Sequence, residues 1–301
     1  MAAPRMGRMG TFTNILATTD LSAHAREAVL RAARIARETG AALHLVHVLQ
    51  VAAIDQVRNR LGGAPADLRI RLENAARFAL EELADTLARE HGVQAALRWV
   101  EGDLVGEIAR AGEETSADLL VLGARGASVA RHLLLGSTAE RLLAQARCSM
   151  LVVRHPAEVT YRRVLVPVDF SPASLPALRR AQELAPAARI YALHAYEAPF
   201  EGKLRLAGLE DRQLRTYVQD AAQEALQGMT ALLAQAPTKP HVAPLLLHGH
   251  PLAHTLDQEE ELDCQMVVVG KGSGSRVDDF LLGSLSRRVL AQATGDVLMS
   301  V

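Results

Sequence analysis

Apolar positions along the chain follow two rhythms. Short apolar runs at 15–18, 43–49, 94–100, 118–123 and 149–153 read as strands. Between them, apolar residues recur every three or four positions, the period of a helix face. Ala25, Val29, Ala32, Ala33 and Ala36 give a helix over 23–38, stopped by Gly40. Leu68, Leu72, Ala76, Ala79, Leu83 and Leu87 give a long helix over 67–90, and shorter helices follow at 104–114 and 137–146. Strands that alternate with helices imply a parallel sheet covered by helices on both faces. Such sheets bind ligands beyond the carboxyl ends of their strands, where Asp20, Val48, Gly102 and Gly123 fall.

The pattern then repeats. TNILATTDLS at 13–22 recurs as RRVLVPVDFS at 162–171, setting Asp20 opposite Asp169. LHLVHV at 43–48 recurs as IYALHA at 190–195, setting His47 opposite His194. Gly123 matches Gly270, and Gly136-Ser137 matches Gly283-Ser284. A period near 150 residues is a duplicated domain, not a solenoid unit. The expected organisation is a tail at 1–12, a first domain at 13–154 and a second at 155–301, whose own long helix spans 209–234. Both domains are expected to be α/β, each a five-stranded parallel, Rossmann-like sheet.

The chemistry concentrates in one loop. Gly123-x2-Gly126-x9-Gly136-Ser137 follows an apolar strand and precedes a helix. Glycines let backbone approach an anion, and the free N–H groups of a helix start face it. Ser137-Thr138-Ala139-Glu140 has the form of a capping box, and Ser137 without the glycines would read as a plain helix cap. The second copy, GKGSGSRVDDFLLGS, has Ser273 where spacing asks for glycine, flanked by Gly272 and Gly274. Its basic Lys271 and Arg276 are offset by Asp278 and Asp279, whereas the first loop carries Arg125 and Arg131 with no acid. A polyphosphate suits the first loop better.

The strand-plus-Asp openings, the LHLVHV strand and the G-x2-G-x9-G-[ST] loop resemble the universal stress protein family, in two tandem copies. The resemblance implies an adenine nucleotide site, with ATP and possible Mg²⁺, in a copy with the full loop. Carried over, it assigns Thr18, Thr19 and Asp20 to the nucleoside and Val48 to the adenine. Leu122, Gly123 and Gly126, with Gly136, Ser137 and Thr138, are assigned to ribose and phosphates, and Arg125 joins the expected nucleotide site through its charge. Asp20 could hold either Mg²⁺ or ribose. A second, degenerate site would comprise Asp169, Gly270, Gly272, Ser273, Gly283 and Ser284. The resemblance also implies nucleotide-dependent regulation in a stress response, hydrolysis that is slow at most, an unknown protein partner, and pairing through the last strands. The two copies can pair in this way inside one chain, through 151–153 and 297–299, and a further pairing of two chains would give a homodimer of two-domain chains.

Composition narrows the rest. Of 301 residues, 49% are hydrophobic and 22% charged, and the net charge of −1 offers no field for nucleic acid or an anionic membrane. No apolar run reaches the ~18 residues of a membrane span. Two cysteines, Cys148 and Cys264, suit a reduced, cytoplasmic setting. His248, His250 and His254 are close enough in sequence to suggest zinc, though no acid or cysteine completes the set locally. His47 and His194 read as satisfied core or pocket-edge residues, and Glu259-Glu260-Glu261 as a solvated helix end. No P-loop and no nucleophile elbow is present. The competing reading is a nucleotide-independent scaffold of the same fold, with a metal near 248–254.

Overall fold

Within each half of this protein, the connections between strands return the chain so that every strand runs parallel to its neighbours. The computed structural model describes residues 12–50, 67–124, 137–145, 147–236, 242–271 and 284–301, with backbone alone for Ser137, Thr138, Ala144 and Ser284. Contacts divide the chain into Met1–Val159 and Thr160–Val301.

The first unit runs β1 (Asn14–Thr18), α1 (Ala23–Thr39), β2 (Ala42–Leu49), α2 (Leu68–His91), β3 (Ala95–Glu101), α3 (Leu104–Glu114), β4 (Leu119–Gly123), α4 (Ser137–Gln145) and β5 (Ser149–Val153). Its strands lie in the order β3-β2-β1-β4-β5, all parallel. The chain winds outward from β1 to β3, then crosses back to β4. With right-handed crossovers, that reversal sends α1 and α2 to one face and α3 and α4 to the other. Ile15, Ala17, Leu45, Leu119 and Val121 are wholly buried in the resulting core.

Local chemistry sets the ends of α1. The Ser22 side chain accepts from the Ala25 N–H at 3.2 Å, and Gly40 closes the helix in the left-handed region at φ 77°. The following segment 155–159 is held by the same helix. Arg31, 1% exposed, donates to the carbonyls of Val159 at 2.7 Å and Pro156 at 3.0 Å, and Glu27 accepts from the Ala157 N–H at 2.8 Å.

The second unit repeats the plan: β6 (Arg163–Pro167), α5 (Ser174–Leu184), β7 (Arg189–Tyr196), α6 (Glu201–Leu206), α7 (Asp211–Gln235), β8 (Val242–His248), α8 (Pro251–Glu261), β9 (Met266–Gly270), α9 (Ser284–Gln292) and β10 (Asp296–Ser300). Its order is β8-β7-β6-β9-β10, again parallel. Fold class and strand count per unit match the pattern read from the sequence.

Three details depart from it. The short helix α6 has no counterpart in the sequence reading. In α2 the expected apolar face is buried only from Leu80 onward, and Leu72 and Phe78 are exposed. Glu259, expected in solvent, is 3% exposed. Its carboxylate accepts from the N–H groups of Thr294 at 3.0 Å and Gly295 at 2.7 Å and from the Thr294 hydroxyl.

Candidate functional site

The strand order reverses between β1 and β4, so the connections leaving those two strands part in opposite directions. That divergence leaves a crevice at their carboxyl ends. Asp20 follows β1 and Gly123 ends β4, so both flank it.

The turn after β1 is braced from within. The Thr19 N–H extends the sheet by donating to the Val46 carbonyl at 3.0 Å, and its hydroxyl accepts from the Leu21 N–H at 3.0 Å. Asp20 accepts from the Ser22 N–H at 3.0 Å. Leu21 sits at φ 65°, and its counterpart Phe170 at φ 60°. A left-handed non-glycine residue stores strain, and its presence at the same place in both copies marks a conformation the site requires.

His47, at the end of β2, anchors this turn. Its Nδ1 lies 2.9 Å from the Thr19 carbonyl, which can only accept, so Nδ1 carries the proton. Burial lowers the His47 pKa, against the opposing pull of the carbonyl bond and the Asp20 charge. The imidazole is therefore neutral. It stacks on Trp99 of β3 at 5.1 Å, and the Arg77 guanidinium lies over the same indole at 5.4 Å. Sequence reasoning missed Trp99 because β2 and β3 become neighbours only in the sheet. Val48, 8% exposed, pairs in register with Val100 near the carboxyl end of β2.

On the β4 side, Leu122 is buried and Gly123 half-buried, and the Ala124 N–H donates to the Val153 carbonyl at 2.9 Å. Ser137 and Thr138 open α4. A second feature missed by the sequence reading stands nearby. Asp103 caps α3 through the Gly106 N–H at 2.9 Å and lies 3.7 Å from Arg141 of α4. Arg125, Gly126 and Gly136 lie outside the described residues. The structure thus brings Thr18, Thr19, Asp20, Val48, Leu122 and Gly123 to one strand edge.

The equivalent edge of the second unit is built differently. Burial raises the Asp169 carboxyl, but hydrogen bonds from the Ser171 N–H and the Ser174 hydroxyl, both at 3.0 Å, outweigh it and hold it below its ordinary value. Phe170 lies 4.1 Å from the His194 ring, and His194 repeats the anchor by meeting the Val168 carbonyl at 2.8 Å. Gly270 is hemmed in: a Cβ there would stand 2.8 Å from the Ala173 Cβ and 2.9 Å from its carbonyl. The Ser286 hydroxyl donates to the Gly270 carbonyl at 3.1 Å. Gly272, Ser273 and Gly283, and the side chain of Ser284, lie outside what is described.

The three clustered histidines do not converge. His248 Nε2 meets Glu201 at 3.1 Å, beside an open recess of about 520 Å³, and stacks loosely on Tyr196. His254 Nε2 meets the His248 backbone carbonyl at 3.0 Å, and His250 stands at the N-cap of α8. Among the described residues no group of three metal-ligating side chains gathers. No helix among them is long and apolar enough to cross a membrane.

Comparison with known proteins follows the duplication. A family model described as the universal stress protein family matches residues 11–154 and again 160–300. A universal stress protein of Methanocaldococcus jannaschii is 31% identical over 150 residues, covering 48% of this chain and 84% of the relative. One of Mycolicibacterium smegmatis is 28% identical over 321 residues, covering 98% of this chain and 99% of the relative. The crystal structure of a universal stress protein from Archaeoglobus fulgidus matches with a TM-score of 0.67 at 21% identity, covering 95% of this chain and 97% of that one. The likeness to that structure is one of fold.

Proposed function

Since this chain belongs to the universal stress protein family, with one copy in each half, we propose that its first unit binds an adenine nucleotide, ATP above all, at the crevice between β1 and β4. The observation that carries this reading is the placement of Asp20 and Gly123 on either side of the strand-order reversal, with α4 starting just beyond the glycine loop. The residues fit such a ligand. Val48 offers an apolar wall for a base, Asp20 an acceptor for a ribose hydroxyl or a ligand for Mg²⁺, and the start of α4 favours phosphate. Arg125 and Arg131 add positive charge in the loop sequence.

The second unit is the nucleotide-independent half. Ala173 stands hard against Gly270, Phe170 packs on His194, and Asp169 is already held by Ser171 and Ser174. Occupancy of the first unit would then bias the conformation or partner choice of the chain in a stress response. Hydrolysis is expected to be slow at most.

Mass spectrometry of small molecules released from the denatured protein, with calorimetry against ATP, tests the reading. The expected result is saturable binding that disappears in Gly123→Val combined with Gly136→Val. No binding to the wild-type chain, or binding that survives both substitutions, overturns it. Light scattering tests the accompanying proposal that two chains form a homodimer, and a strict monomer would end it.

A further inference from the structure

The edge of the first unit opposite the nucleotide crevice holds a cavity of about 270 Å³ between α3, α4 and the sheet. Leu16, Ile108, Leu120 and Leu142 wall it, and Gly112 and Cys148 complete the lining. Arg147 and Glu113 also border it, paired at 3.2 Å and both largely exposed. Its volume exceeds the ~150 Å³ that holds a benzene molecule and approaches the ~300 Å³ at which ordinary ligand pockets begin.

The second unit shows what this seam looks like when filled. The two copies are in register here: the Ala117 N–H donates to the Gly112 carbonyl at 2.9 Å, as the Cys264 N–H donates to that of Glu259 at 2.9 Å. Ser116 and Asp263, one residue earlier, share a left-handed backbone at φ 49° and 47°. Gly112 therefore stands where Glu259 stands. In the second unit the Glu259 side chain enters the seam and its carboxylate receives the Thr294 and Gly295 N–H groups. In the first unit those positions are Arg147 and Cys148; no oxygen of a described residue accepts from their N–H groups, and the Cys148 N–H faces its own sulfur. A Cβ on Gly112 would meet nothing nearer than Leu16 Cδ2 at 3.9 Å. The first unit has the space without the side chain. A thiol sulfur is a weak acceptor, so a carboxylate oxygen entering this space takes these amides in preference to it.

We propose that this seam binds a small apolar monocarboxylic acid. Its carboxylate takes the position of the Glu259 carboxylate, on the N–H groups of Arg147 and Cys148. Its hydrocarbon body replaces the missing glutamate stem and fills the space between Leu16, Ile108, Leu120 and Leu142. Binding comes from apolar burial and the two amide bonds. The exposed Arg147 guanidinium adds little, being already paired and open to water. The site is independent of the nucleotide reading, since it lies at the amino ends of the strands.

The test uses the full chain with sodium octanoate, with octanol as the neutral comparator. Calorimetry is expected to show one saturable octanoate site, with octanol at least about tenfold weaker. Cys148 borders the cavity, so octanoate should slow its alkylation by a maleimide at least about fivefold, whereas Cys264, buried in the other unit, serves as the internal control. Gly112→Glu, which rebuilds the second unit's stitch, should abolish both effects. The proposal is overturned by no saturable binding at millimolar octanoate, by equal binding of octanol, or by undiminished binding to Gly112→Glu. Cys148 alkylation that ignores octanoate overturns it as well, and that measurement does not depend on how the variant folds.

Discussion

Gly112 and Glu259 occupy the same turn of the same helix in two copies of one fold. One leaves a cavity of about 270 Å³, and the other fills its seam with a carboxylate that takes two backbone N–H groups and a hydroxyl. The carboxyl edge also differs: in the second unit Phe170 packs on His194 and Ala173 stands against Gly270, where the first has Leu21 and His24. At the seam the second copy supplies, from its own side chain, what the first leaves open.

The largest test of this contrast removes the stitch. Glu259→Ala leaves two buried N–H groups without their acceptor and a hole where the side chain was, which should cost about 3 kcal/mol. Glu259→Gln keeps one carbonyl oxygen and should recover most of that loss. Denaturation followed by hydrogen exchange in β9 and β10 reads it. Equal, small losses in both variants would mean that the carboxylate only decorates the seam.

Next come two helix glycines that respond oppositely to the same change. A Cβ on Gly228 of α7 would stand 2.7 Å from the Phe170 ring, whereas one on Gly112 of α3 meets Leu16 Cδ2 at an ordinary 3.9 Å. Gly228→Ala should therefore destabilise the second unit by roughly 1–3 kcal/mol, the usual range for overpacking. Adding Phe170→Leu, the residue type of the first unit, should restore it. A Gly228→Ala protein as stable as the wild type would show that the ring has somewhere else to go.

Acid should separate the units as well. The folded pKa of His47 lies below its ordinary 6.5, so the unfolded chain takes up the proton first. The stability of its neutral form is then present above about pH 6.5 and lost as pH falls toward the folded value. His44, lowered by burial and by Arg98, acts in the same direction. Asp169 is lowered from 3.8, so its contribution persists until pH falls below that value. At about pH 5.5, hydrogen exchange corrected for its intrinsic rate should quicken in β1 and β2 before β6 and β7. His47→Gln should flatten the response. Equal quickening in both units would contradict the assignment of a neutral, buried His47.

Particular residues show why some of this was legible in the chain and some was not. Strands and long helices announced themselves because each buries a continuous face, and the repeat supplied every element twice. The reach of a face was hidden: α2 keeps its period from Leu68 to Leu87, yet burial begins at Leu80 because period says nothing about what lies beneath. Helix α6 buries no residue and so left no apolar signal. The Gly123 loop and Asp20 were readable as motifs, whereas the stacking of His47 on Trp99 depends on strand adjacency. Glu259 misled because it stands in a run of three acids, and its partners Thr294 and Gly295 lie 35 and 36 residues away. Charge runs predict solvent only when no distant backbone donor needs them.

The smallest expected effect is the most discriminating. Gly112→Ala adds one methyl group to a helix interior where the nearest atom is Leu16 Cδ2 at 3.9 Å. Helix propensity and the reduced freedom of the unfolded chain favour the alanine by about 0.5–1 kcal/mol. The methyl also enters the cavity without reaching the N–H groups of Arg147 and Cys148. If the space is retained for a ligand, the protein should gain stability while octanoate affinity falls only a few-fold, in contrast to the complete loss in Gly112→Glu. If glycine is instead required for the packing of α3 against α4, Gly112→Ala should destabilise the unit. Thermal melts of the two variants with and without octanoate decide between these outcomes.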